Sequence, residues 1–330
     1  MAAMTLDPSF SLQVSSNASK NRVIVEEIDG LIRVYKDGHV ERPQIMTHAA
    51  CSSASEFGVS CRDVIIDKYT NIWARFYVPN TSLKKLPLLV YFHGGGFCVG
   101  SASWSCYHEF LAKLSSKTGC VIVSVNHRLA PEYPLPAAYE DGVKALIWLR
   151  QQSLLSKNEW WTNNCNISKI FLAGDSAGAN IAFNVSIRLA RQIDIKGLIL
   201  IQPFFGGESR THSEKYMMQP PRSALTLAAS DTYWRLSLPP GENRDHPWCN
   251  PMSKMAPNLE ELRDLSIMVC ISEMDILKDR NLELCAKLGQ KVEQIMYEGV
   301  GHAFQILNKS TLAQTRIHEL TSHIKNFVHK

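Results

Sequence analysis

The chain is 330 residues long, 45% apolar and 20% charged, with 18 glycines and 15 prolines. That length buries roughly three-quarters of the unfolded surface in one or two cores, and a Gly+Pro share well under the ~25–30% of low-complexity chains excludes wholesale disorder. Thirty-five Lys+Arg against 31 Asp+Glu leave a net charge of +4 with no block of either sign, which argues against a nucleic-acid partner.

Nine cysteines without a C-x-x-C spacing fit neither a disulfide framework nor a zinc site and are expected as reduced thiols. The opening MAAMTLDPSFSLQVSS lacks the pattern of a secretory signal, and no apolar run approaches the ~20 residues of a membrane span. The expectation is a cytoplasmic protein, monomer or homodimer, with neither a membrane nor a nucleic-acid partner.

Residues 1–58 read as an arm. Acidic and apolar residues alternate over 21–31, and Arg33–Arg42 reads as a hairpin about Asp37-Gly38. The small, polar stretch to Ser55 reads as a loose connection. Strands are then predicted at Val59–Ile66, Ile72–Val78, Leu88–Phe92 and Val121–Val125, with helices at Tyr107–Lys117 and Ala137–Gln152. After a polar insert at Ser153–Ser168 come strand Lys169–Ala173, helix Ala179–Arg191 and strands Gly197–Ile201 and Ile267–Ser272. Helix Lys278–Leu288, strand Val292–Tyr297 and the amphipathic helix Thr311–Val328 close the chain. Buried β-branched strands alternating with helices of ~10–15 residues predict a mostly parallel sheet covered on both faces. Phe205–Asn258 breaks the rhythm, with Met217-Met218, prolines at 220–221 and 239–240, and one helix, Leu225–Leu236. The expected organisation is a single α/β domain, with core 59–204 and 259–330. The arm 1–58 and the insertion 205–258 would form a lid.

Gly174-Asp175-Ser176-Ala177-Gly178 matches Gly-x-Ser-x-Gly between a predicted strand and helix. In that setting the pattern is a nucleophile elbow, a tight turn that lifts the serine hydroxyl. His93-Gly94-Gly95-Gly96-Phe97 follows strand Leu88–Phe92, and successive glycines leave backbone N–H groups bare for an oxyanion. His93 reads as a residue that orders this loop. With a serine nucleophile the acid and the histidine should follow in that order after late strands. Asp275 is the preferred acid, with Glu273 and Asp279 as rivals. Gly301-His302 follows the last strand and makes His302 the candidate base.

HGGGF, HRLAPEYPLPAAYED (127–141), GDSAGAN, SEMDILKDR and GVGHAF, in this order, resemble plant carboxylesterases of the hormone-sensitive-lipase-like group, as does the YKDGHVER arm. The resemblance runs from about residue 59 to the C-terminus. It implies an α/β-hydrolase fold and ester hydrolysis by Ser176, His302 and Asp275 through an acyl-enzyme, with no cofactor and no metal. It also implies an oxyanion hole drawn from Gly94, Gly95, Gly96 and Ala177. Phe97, Tyr233 and Phe304 stand near the motifs as candidate substrate-lining side chains, each equally readable as core. His127 departs from the tyrosine common at its place, and Arg128 with Glu132 reads as a buried ion pair. Two non-hydrolytic relatives supply the alternatives. Gibberellin receptors lack the histidine, carry serine for the last loop glycine and have an Asp-Arg pair where this chain has Ala229-Ser230. Isoflavanone dehydratases carry threonine for the serine. Ser176, Gly96 and His302 side with hydrolysis of a small-molecule ester.

Overall fold

The computed structural model describes residues 22–155, 160–219, 223–257, 259–289 and 291–330; the predicted proline pair at 220–221 lies outside them. The chain forms two compact units, 1–43 and 44–330. In the first, β1 (Ile24–Ile28), β2 (Ile32–Tyr35) and β3 (Val40–Glu41) make an antiparallel sheet. The β2–β3 hairpin pairs Arg33 with Glu41 and Val34 with Val40, and Gly38, at φ +84°, closes its turn.

The second unit opens with a 3₁₀ turn, Cys51–Phe57, where the sequence predicts a loose connection. Its small side chains let the turn pack tightly, with Ala54 fully buried and Ser53 Oγ 3.0 Å from His108 Nε2. Then follow β4 (Val59–Asp67), β5 (Ile72–Pro79), β6 (Leu86–Phe92), α1 (Ser105–Thr118), β7 (Val121–Asn126) and α2 (Ala137–Leu155). The centre of the chain holds β8 (Cys165–Asp175), α3 (Ala177–Leu189), β9 (Ile195–Ile201), α4 (His212–Tyr216) and α5 (Leu227–Ser237). It ends with β10 (Ser266–Ser272), α6 (Lys278–Leu288), β11 (Val292–Tyr297), α7 (Phe304–Leu307) and α8 (Thr311–Val328). Eight strands form one sheet in the order β11-β10-β9-β8-β6-β7-β5-β4, parallel except for β5, which runs antiparallel to both neighbours.

Residues 86–92 are buried without a break, as both-face burial in a parallel sheet requires, whereas edge strand β4 mixes exposed and half-buried residues. The predicted motifs lie where β6, β8, β10 and β11 end, at the carboxyl edge where open α/β sheets hold their sites.

Segment 205–258 is bonded to the rest of this unit at several points. Glu214 caps α4 through a capping box with Thr211 and forms a buried ion pair with Arg280 of α6 at 3.0 Å. The Ser213 N–H donates to Asp279 Oδ2, and the Trp234 ring of α5 stacks on Phe204 with centroids 4.7 Å apart. The ion pair of Arg128 also differs from expectation. Its carboxylate partner is the fully buried Asp141 at 2.7 Å, with Glu140 at 3.6 Å, while Glu132 is exposed. Helix α2 places Asp141 beside Arg128, whose backbone N–H also donates to it at 2.7 Å.

Candidate active site

Ser176 stands between β8 and α3 at φ +52°, ψ −121°, a conformation a non-glycine residue holds at a cost of about 1–3 kcal/mol. The flanking glycines are dictated by space. A Cβ at Gly178 would lie 2.0 Å from the Phe92 carbonyl oxygen, and one at Gly174 2.3 Å from Gly178 backbone. The turn is fixed from β9, since the Ser176 N–H donates to Ile201 O at 2.9 Å and its carbonyl accepts the Phe204 N–H at 3.0 Å.

Ser176 Oγ lies 2.8 Å from His302 Nε2, and His302 Nδ1 lies 2.7 Å from Asp275 Oδ2. With the proton on Nδ1, Nε2 is the acceptor for the serine hydroxyl. All three residues are buried. Asp275 Oδ1 also accepts the Leu277 N–H at 3.0 Å. The rival acids are engaged elsewhere: Glu273 accepts the Gly299 N–H at 2.8 Å and Asp279 the Ser213 N–H at 2.6 Å. Burial presses the imidazolium of His302 down. The Asp275 carboxylate, by charge and hydrogen bond, outweighs this with help from Asp175, and the net shift is upward.

The glycine run leaves β6 at its carboxyl end. The N–H groups of Gly95, Gly96 and Ala177 make no hydrogen bond to any described residue. Gly94 differs, and this corrects the expectation from the motif. Its N–H donates to Tyr107 Oη at 2.8 Å, so it is unavailable to an oxyanion. Tyr107 in turn donates to Asp175 Oδ2 at 3.0 Å, and Tyr91 donates to Asp175 Oδ1 at 2.8 Å. Burial raises the Asp175 carboxyl to about 6 despite these two donors. His93 is wholly buried, its Nδ1 2.8 Å from Gly94 O and its ring stacked on His127 at 4.2 Å. It orders the loop and lies apart from the serine–histidine pair.

The three aromatic candidates separate. Tyr233 lays its ring on Gly96, where a Cβ would come within 2.2 Å of Tyr233 Cγ. Phe97 is buried among Tyr139, Phe204 and Trp234, and Phe304 packs on Tyr297. Both of these phenylalanines have core surroundings. Two residues at the site escape the motif reading. Asp175 occupies the free position of Gly-x-Ser-x-Gly, and Gln202, whose carboxamide meets the Ala303 N–H and Ser272 Oγ, has no signal beyond standing at a strand end before proline.

Residues 89–306 match the family model described as alpha/beta hydrolase fold. The chain belongs to this α/β-hydrolase family, among its carboxylesterase-like members. It is 52% identical over 322 residues to "Probable carboxylesterase 6" of Arabidopsis thaliana, covering 95% of this chain and 94% of that protein. It is 35% identical over 312 residues to "Tuliposide A-converting enzyme 1, chloroplastic" of Tulipa gesneriana, covering 92% and 78%. Among solved structures it is similar to a hyperthermophilic esterase of Pyrobaculum calidifontis, with a TM-score of 0.68 and 27% identity over 84% of this chain and 87% of that one. Among the described residues no helix is long and apolar enough to cross a membrane.

Proposed function

We propose that the chain is a serine carboxylesterase for small-molecule carboxylic esters, with Ser176 as nucleophile, His302 as base and Asp275 as its orienting carboxylate. The observation behind this reading is the continuous Ser176–His302–Asp275 chain, 2.8 and 2.7 Å long, beside three unpartnered backbone N–H groups. His302 Nε2 takes the Ser176 proton as Oγ bonds to the ester carbonyl carbon. The resulting oxyanion accepts from the N–H groups of Gly95, Gly96 and Ala177. Collapse breaks the carbon–alkoxide bond, and the alkoxide leaves with the proton from Nε2. His302 then takes a proton from water, the hydroxide attacks the acyl-enzyme, and Ser176 recovers its hydrogen as the acid leaves. Asp275 stays ionised, holds the imidazole in the Nδ1–H form and stabilises its cation.

Helix α5 of the insertion roofs this site, with Tyr233, set against Gly96, as the substrate-facing ring. The reaction is assigned to the cytoplasm, whereas the tulip relative is named as chloroplastic. A receptor has no use for a base within hydrogen-bond reach of Ser176, and the dehydratases of this group carry threonine where this chain has Ser176. The test is turnover of a p-nitrophenyl ester chain-length series by wild type and Ser176→Ala. Wild-type turnover that vanishes in the variant supports the assignment. Equal rates, or gibberellin binding without turnover, sink it.

A further inference from the structure

Three loops must hold one geometry if Ser176, His302 and Asp275 are to act together, and the turn at 201–204 is bonded to the first two and to the strand that leads to the third. The Ile201 carbonyl and the Phe204 N–H bracket Ser176, as given above. Between them lies Gln202, buried to 1% exposure and held at φ +47° before Pro203. A glutamine before proline rarely adopts a positive φ, and such conformations persist where the surroundings fix them.

The Gln202 side chain reaches in two directions. Oε1 accepts the Ala303 N–H at 2.7 Å, on the residue directly after His302. Nε2 donates to Ser272 Oγ at 2.5 Å, on the last residue of the strand that leads to Asp275. The Gln202 backbone N–H donates to Cys270 O at 2.8 Å on that same strand, and Asn281 Nδ2 holds the Pro203 carbonyl at 2.8 Å. Ala303, itself at φ +56°, has a buried N–H that needs an acceptor.

We propose that Gln202 is a positioning residue for the triad: its carboxamide sets the height of the His302 loop against Ser176 and ties it to the strand that carries Asp275. It touches neither substrate nor reacting atoms. The proposal rests on the ester-hydrolase assignment above. Without the amide, the Ala303 N–H loses its acceptor and the loop turns to find another, moving the imidazole. A displacement of about 1 Å costs on the order of 100-fold in rate.

The experiment compares wild type, Gln202→Met and Gln202→Glu with p-nitrophenyl acetate. Active sites are counted by fluorophosphonate titration, and Tm is measured for each protein. Gln202→Met keeps the length and removes both polar contacts; kcat per titrated site should fall roughly 10- to 100-fold with KM within about twofold. Burial keeps a glutamic acid at 202 protonated, so its C=O accepts and its O–H donates as the amide does. Gln202→Glu should therefore recover most of the loss.

Wild-type kcat in folded Gln202→Met overturns the proposal. So does a change in KM alone, or a glutamate variant no faster than the methionine one. If Gln202→Met does not fold, Ser272→Ala removes only the Nε2 partner and should lower kcat severalfold; an unchanged kcat overturns the proposal. A wild type that turns over no ester defeats the hydrolase assignment itself and this proposal with it.

Discussion

Replacing Gly96 by alanine puts a carbon where an aromatic ring already stands. The added Cβ would lie 2.2 Å from Tyr233 Cγ and 2.4 and 2.5 Å from its two Cδ atoms. The backbone, at φ +57°, adds a left-handed penalty of about 1–2 kcal/mol for any L side chain. Tyr233 has little room to retreat, since it is buried on α5 and meets Phe204 edge-on at 6.4 Å. The loop should therefore turn, taking the Gly96 N–H from the position proposed for the oxyanion. Loss of one such donor costs about 2.7–4 kcal/mol, or roughly 10²- to 10³-fold in kcat. Serine, which the receptor resemblance places here, meets the same ring. Steady-state kinetics on Gly96→Ala, Tyr233→Leu and the double variant separate collision from conformation. Shrinking residue 233 opens the space, so the double variant should be less impaired than the two losses combined, by about 1–3 kcal/mol of coupling. Strictly additive losses would refute the collision, and an unchanged kcat in Gly96→Ala would refute the oxyanion role of that N–H.

Ser176→Ala and His302→Ala should each remove most ester turnover, and the double variant should be little worse, because nucleophile and base act as a unit; additive losses in log kcat would separate them. The proposed mechanism requires neutral His302, whose pKa is raised above its ordinary ~6.5. The rate should be full above that pKa and fall as pH drops through it. Asp275→Asn, which removes the carboxylate holding the value up, should move this limb to lower pH; a limb that stays put would remove Asp275 from the triad. Tyr107→Phe strips the Gly94 N–H of its acceptor and Asp175 of a donor. Urea unfolding should show a loss of about 1–3 kcal/mol for each orphaned group, and an unchanged midpoint would contradict that network.

The sequence was most legible where local pattern and tertiary demand agree. The predicted bounds of α6, β11 and α8 coincide with those observed. The elbow was readable because Gly174 and Gly178 leave no room for any side chain. What escaped depends on residues distant in the chain. Tyr107, thirteen residues from Gly94, takes an N–H that the motif alone assigns to the oxyanion. Arg128 chooses Asp141 because helix α2 delivers it, which no spacing rule announces. Short α4 and α7 carry too few turns for a period to show. Gln202 is a lone polar residue whose two partners lie 70 and 101 positions away.

The most direct test of the central claim is an intact-mass measurement after exposure to a fluorophosphonate probe, with the adduct mapped by peptide sequencing. One phosphonyl group on Ser176 of the wild type, and none on Ser176→Ala, is the predicted result. An unlabelled wild type, or an adduct that survives in Ser176→Ala, would contradict the assignment of Ser176 as an activated nucleophile.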